Sequence, residues 1–166
     1  LVVMAAQFMT VLMLGAAIAP NYDFHGGAIS DLGVIPETAL LFNASLVLVG
    51  ALTLVGGYAY YRTHGARWLL GLYVVAAVGA IGAGLVPLDG GGLHGLSALL
   101  AFLCFNLLAL GTAARVEGAL RGFAVLAGVV GLAFVAIMAV GDAGNPAVFG
   151  PIGHGGGERM IVYPVM

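Results

Sequence analysis

Lysine is absent from this sequence, and charge of either sign is scarce. Five arginines and seven acids amount to 7% of the 166 residues. A soluble domain usually carries about 25% charged residues. So few ionised side chains cannot clothe a globular surface, which excludes a water-exposed domain. The arginines are dispersed, so no basic patch exists to attract nucleic acid. Cys104 is the only cysteine, so no disulfide forms within the chain. It sits in an apolar run and reads as a small core residue. Neither HExxH nor CxxC occurs, so no local metal-ligand motif is present.

What is present is hydrocarbon. The composition is 62% hydrophobic with a mean hydropathy of +1.13. Five apolar runs have spanning length: Leu1–Ala19, Thr38–Tyr61, Trp68–Pro87, His94–Ala114 and Leu120–Gly141. About 20 residues at a rise of about 1.5 Å cover a hydrocarbon core of about 30 Å. A sixth run opens at Glu158 and reaches Met166, which is too short to span. The expectation is one all-α transmembrane bundle over residues 1–166, with six helices, five complete and the sixth truncated. The first residue already lies inside an apolar run, so the sequence reads as a piece of a longer chain. Ala17-Ile-Ala19 imitates a signal-peptide cleavage site, but no basic segment precedes it and Pro20 follows, so a retained helix is expected.

The charges are unevenly placed. Arg62, Arg67, Arg115 and Arg121 fall in the second and fourth connections, and Arg159 alone falls on the other side. This asymmetry puts the arginine-bearing loops in the cytoplasm of a cell membrane and the other three connections outside. Those outer connections and their flanks carry Asp23, His25, Asp31, Glu37, Asp89, His94, Asp142, His154, Glu158 and Arg159. Of the acids and histidines, only Glu117 and His64 lie opposite. Each outer connection combines an aspartate, glycines and one histidine, and "LLFNAS" and "FLCFNLL" recur in the helices after the first two. The pattern suggests repeated helical hairpins.

Three imidazoles from three loops are the donor set of a zinc-like divalent metal with one open position. His25, His94 and His154 are the candidate ligands or acid–base groups, and Asp31 would orient them or share a proton. The plainer reading of each histidine is an interfacial side chain bonded to a carbonyl. Ser30-Asp31 combines a potential nucleophile with an acid, yet both residues also favour turns and caps. Glu158 suits the first turn of a helix beginning there. Arg159, isolated at the lip of an apolar helix, should seek Asp31, Asp89, Asp142 or an anionic headgroup; snorkelling is the plainer alternative. Glu158, Asp89 and Arg159 are thus the candidate binding residues. Asn43 and Asn106 lie within helices and read as interhelical hydrogen-bonding groups. Ala76, Ala80 and Ala83 in the third run, with Ala124, Ala127, Gly128 and Gly131 in the fifth, mark close packing.

The segments "ISDLG", "FNASLVLVG", "HGLSALLAF" and "GHGGGERMIVYP" resemble a family of six-helix archaeal and bacterial membrane proteins. That family is catalogued as domain of unknown function nine hundred and ninety-eight. The resemblance covers nearly the whole chain and implies six spans, with no established activity. A looser similarity connects the chain to the membrane hydrolases that include alkaline ceramidases, which use a serine, an aspartate and three histidines around zinc. Ser30, Asp31, His25, His94 and His154 match those residue types. The paired histidines of one late helix and a seventh helix have no counterpart here.

Three functions follow as expectations. One is a membrane-embedded, metal-dependent hydrolase acting on a lipid or headgroup. The second is an ion- or proton-coupled transporter of small molecules. The third is a non-catalytic scaffold. Membrane lipid is the expected partner in each, with a homo-oligomer or a protein partner compatible with all three.

Overall fold

The computed structural model describes residues 1–166 and contains six α-helices and no strand. They are α1 (Val2–Ile18), α2 (Ala39–His64), α3 (Arg67–Leu85), α4 (Gly92–Ala113), α5 (Gly118–Asp142) and α6 (Gly153–Val162). Short 3-10 segments occupy Ile29–Gly33, Leu88–Gly90, Pro146–Ile152 and Tyr163–Val165. α2 to α5 are each long and apolar enough to cross a membrane, and α1 is a shorter apolar helix of 17 residues. Large side chains such as Val2, Leu40, Val55, Val78, Phe123 and Leu126 stay exposed on the outside of the bundle. Helices apolar on both their inner and outer faces belong in lipid. The protein is an integral membrane helix bundle.

Consecutive helices pack as antiparallel neighbours, with the broadest contacts from α2 through α3 to α4 and on to α5. The tightest link joins α2 to α3. Gly65 takes the left-handed conformation (φ 68°), and its N–H bonds to the Tyr61 carbonyl, which ends α2. A β-carbon would strain that geometry, so glycine is the natural residue there.

Small residues set the helix spacings. In α3, Ala76, Ala77 and Ala80 are essentially fully buried. Gly50 of α2 lies on the Ala77 carbonyl, Gly79 of α3 on the Ser97 carbonyl, and Gly128 of α5 on the Asn106 carbonyl. In lipid there is no hydrophobic force between helices, so this backbone proximity, with its dispersion contacts, holds them together. Asn106 joins three helices. Its amide donates to Phe102 O in its own helix (2.8 Å) and to Ile161 O of α6 (3.2 Å). Its carbonyl oxygen lies against Gly131 of α5 without a hydrogen-bond donor.

The helices α1 to α5 lie within a few residues of the five apolar runs. The beginning of α6 differs. It starts at Gly153, so Gly155, Gly156 and Gly157 are helical rather than loop. Glycine weakens a helix interior by about 1 kcal/mol relative to alanine. Contact geometry explains why it is tolerated here: a β-carbon on Gly155 would run into the Gly27 carbonyl, and one on Gly157 would press on Phe149. The glycines let a helix dock where a loop was expected.

Replacing Gly131 with alanine should therefore place a methyl group onto the Asn106 amide. The expected cost is about 1–3 kcal/mol, the usual range for overpacking. Gly122→Ala, a site with no atom within 4 Å of the added carbon, should be neutral or slightly stabilising. Thermal unfolding of the two variants in the same lipid nanodiscs checks this. Equal stabilities would refute the close α4–α5 contact.

Candidate functional site

Three connections meet at one end of the bundle: the one before α2, the one before α4 and the one before α6. The first is the longest and organises itself around two side chains. The Asp23 carboxylate accepts the backbone N–H groups of His25 (2.9 Å) and Gly26 (2.8 Å), closing a tight turn. Those two bonds, His25 first, hold the Asp23 carboxyl below the usual carboxylate range. Tyr22 donates its hydroxyl to Ala28 O at 2.6 Å, and burial pushes its pKa up to about 12 despite the opposing pull of Arg159. Further on, Asp31 accepts the Ala28 N–H at 2.8 Å. This is the capping role expected from an aspartate in that turn.

Arg159 fastens this loop to α6. One terminal nitrogen donates to Phe24 O (3.0 Å), Gly27 O (3.1 Å) and Gly155 O (2.7 Å), and the other donates to the Tyr22 hydroxyl (2.7 Å). The guanidinium also stands 4.7 Å from the Phe24 ring centre and 5.7 Å from that of Tyr22, within cation–π range. The expected pairing of Arg159 with Asp31, Asp89 or Asp142 is not what forms. Backbone carbonyls take the guanidinium because a loop crossing the end of a helix leaves several acceptors unpaired in one place. Asp89 sits exposed on the Leu88–Gly90 turn and lines neither of the two cavities described below.

Glu158 holds the same loop from another side. It is 5% exposed and accepts the Ile29 N–H. The sequence places it in a first helical turn. In the structure α6 starts five residues earlier, so Glu158 is buried in the second turn.

A cavity of about 620 Å³ opens between α4, α5, α6 and the first connection. Its polar lining is Ser30, Asp31, His94, Asp142, His154 and Glu158. Its apolar lining includes Leu99 and Phe102 of α4 with Val135 and Met138 of α5. A smaller inner cavity of about 60 Å³ lies toward the bundle centre, and Ser30, His94 and Glu158 border both.

His94 has a defined tautomer. Its Nδ1 lies 2.7 Å from the Val86 carbonyl. A carbonyl only accepts, so Nδ1 carries the hydrogen, and in the neutral ring Nε2 presents a lone pair. His94 is 4% exposed, and its Nε2 makes no hydrogen bond within the chain. His154 instead pairs through Nε2 with Asp142 at 3.1 Å, at the more open rim.

Of the four residues expected to act as catalytic groups, Asp31, His94 and His154 share this cavity. His25 does not. It is exposed, donates through Nε2 to Pro151 O at 2.9 Å, and packs beside Gly153. The proposed metal site of His25, His94 and His154 is therefore not assembled, and no three His, Cys, Asp or Glu side chains converge as a ligand group. The physical reason is position and prior commitment: His25 lies outside the cavity with its Nε2 on Pro151 O, and the Nε2 of His154 is taken by Asp142, so of the three Nε2 atoms only that of His94 is free at the cavity. Sequence reasoning missed Tyr22 as the partner of Arg159 and Asp142 as the partner of His154. Tyr22 carried no local signal. The Asp142–His154 pair brackets the third connection, and that flanking placement was the available clue.

Arg159→Lys should fail to replace arginine, because an ammonium lacks the planar fork that serves several acceptors at once. The expected loss for Arg159→Lys and Arg159→Gln is about 2–3 kcal/mol, the scale of hydrogen bonds to a charged group. Tyr22→Phe removes one acceptor and should cost less. Unfolding midpoints in nanodiscs test the order. A lysine variant as stable as wild type would return Arg159 to a snorkelling side chain.

The family described as "Protein of unknown function (DUF998)" matches residues 2–166. No curated protein and no solved structure matches the chain. With the match spanning nearly its whole length, the chain belongs to the DUF998 family.

Proposed function

We propose that this protein is a membrane enzyme that admits an amphiphile sideways from the bilayer and performs acid–base chemistry on its headgroup. The observation that carries this reading is the two-sided cavity. Carboxylates and imidazoles line its polar end, while Leu99, Phe102, Val135 and Met138 line the wall between α4 and α5. Pockets for organic ligands pair an apolar wall with a few convergent polar groups in this way. His94, with its Nε2 lone pair, is the proposed base, and the Asp142–His154 pair at the rim is the proposed proton reservoir. Water or a ligand hydroxyl held near His94 would lose its proton to Nε2. The uncommitted donors of the cavity end, such as the Ser30 hydroxyl, would orient the reacting group.

Arginine placement supports the sidedness. Arg62, Arg67, Arg115 and Arg121 lie at the end opposite the cavity, which the positive-inside rule makes cytoplasmic. The cavity then faces the exterior. A second reading, a proton-coupled carrier, draws on the inner cavity, because Glu158 and His94 border both spaces and could pass a proton between them.

Two measurements check these proposals. With Cys104→Ala removing the native thiol, a cysteine at Gly91 should react with an impermeant reagent from outside intact cells. Reaction only after lysis would invert the orientation. For the cavity, Ala139→Cys in the same background places a thiol on its wall. In phosphatidylcholine nanodiscs, at least one of dodecylamine, dodecyl glucoside and dodecyl phosphate should slow maleimide labelling of Ala139→Cys. Labelling of Gly91→Cys should not change, and the butyl counterparts should have no effect. Absence of protection by all three dodecyl compounds would overturn the amphiphile reading.

A further inference from the structure

We infer that the headgroup received by this cavity bears a positively charged, hydrogen-bond-donating nitrogen. This deepens the amphiphile reading and rests on it.

The polar end of the cavity is rich in unused acceptors. Asp31 spends one carboxylate oxygen on the Ala28 N–H. Glu158 spends one on the Ile29 N–H. Asp142 spends one on His154. Each retains a second oxygen with no hydrogen bond within the chain. His94 adds an independent observation. It is more than nine-tenths buried, lines the cavity, and its Nε2 is left as an unpartnered acceptor by the bond from Nδ1 to Val86. Against these stands the Ser30 hydroxyl, because the Nε2–H of His154 is already given to Asp142. A group that fits must donate rather than accept.

Charge points the same way. No arginine lines the cavity. The only one at this end, Arg159, is committed to Tyr22 and three carbonyls. A phosphate or carboxylate headgroup would enter beside the Asp31 and Asp142 carboxylates, with no arginine to meet it. In a low-dielectric wall that repulsion is a strong bar, and exclusion of the wrong charge is half of specificity. A protonated amine meets the carboxylates as a charge-assisted donor, and its alkyl chain continues along Leu99 and Val135. The volume of about 620 Å³ suits an organic amine rather than a bare cation.

The test compares the three dodecyl compounds on Ala139→Cys/Cys104→Ala protein in phosphatidylcholine nanodiscs, with Gly91→Cys as the control for bulk effects. Dodecylamine should protect at a concentration at least about tenfold lower than dodecyl glucoside, the difference one charge-assisted contact makes. Dodecyl phosphate should protect least. Asp142→Asn and Asp31→Asn together should erase the advantage of the amine. Protection by the glucoside, retained in that variant, would show that the cavity is still folded. Protection by glucoside or phosphate equal to that by the amine would overturn the cationic headgroup and leave the amphiphile cavity standing. An amine advantage that survives both asparagines would overturn it too. If no dodecyl compound protects, the cavity reading falls with it.

Discussion

The contacts of Arg159 with the first connection are what the polar end of this bundle depends on. A loop that crosses the end of a helix bundle must pair the carbonyls it turns toward the helices. One guanidinium, with five N–H donors in a plane, answers three carbonyls and a phenol together. A consequence follows from helical geometry. Successive residues of a helix project about 100° apart. With Arg159 fixed toward Phe24 and Gly27, its neighbour Glu158 turns inward, where it takes the Ile29 N–H and borders both cavities. A contact that stabilises the loop thus also fixes the most buried acid of the candidate site.

Glycine gives α6 access to this position. Gly155 rests on the Gly27 carbonyl, and the Gly155 N–H binds His25 O at 3.0 Å. Deeper in the bundle, Gly128 and Gly131 bring α5 onto Asn106 of α4. The same two helices also line the larger cavity nearer the polar end. They touch at mid-depth and leave room above, and Asn106 also holds Ile161 of α6 at that depth. Small residues and one amide thus hold α4, α5 and α6 together, while the larger cavity itself is lined by Phe102, Val135 and Ile161 of those helices.

Much of this was legible in the sequence because lipid simplifies the pattern. Runs such as Trp68–Pro87 and His94–Ala114 leave little freedom in where α3 and α4 lie, since every backbone group must be satisfied within the helix. The alanines and glycines of α3 and α5 announced close packing, and the uneven acids and histidines marked the end that carries the cavity. What was not legible depended on which acceptor reached a donor first. Glycine-rich sequence before Glu158 looks like loop by propensity; only the Gly27 backbone across from it makes a helix preferable. His25, His94 and His154 are alike as residues in or beside the connections before α2, α4 and α6. Their differences arise from Pro151, Val86 and Asp142, two backbone carbonyls and a carboxylate whose positions no local pattern encodes. Arg159 and Asp31 looked like opposite charges in need of each other, yet nearer groups took the terminal nitrogens of Arg159 and one oxygen of Asp31.

The relation between His94 and Val86 shows how structural need sets chemical character here. Val86 closes the C-terminal end of α3, where the last carbonyls of a helix have no N–H partners in the helix itself. Near lipid such a carbonyl requires a donor. His94, in the first turn of α4 and just across a short link, supplies one through Nδ1. That bond fixes which nitrogen holds the hydrogen and how the ring is oriented, so the lone pair of Nε2 is left on the cavity side by subtraction. A glutamine or lysine could also donate to Val86, but neither would leave a basic ring nitrogen behind. Histidine is the side chain that can serve the helix end with one atom and a reaction with the other. This links the packing of α3 against α4 directly to the acid–base capacity of the cavity.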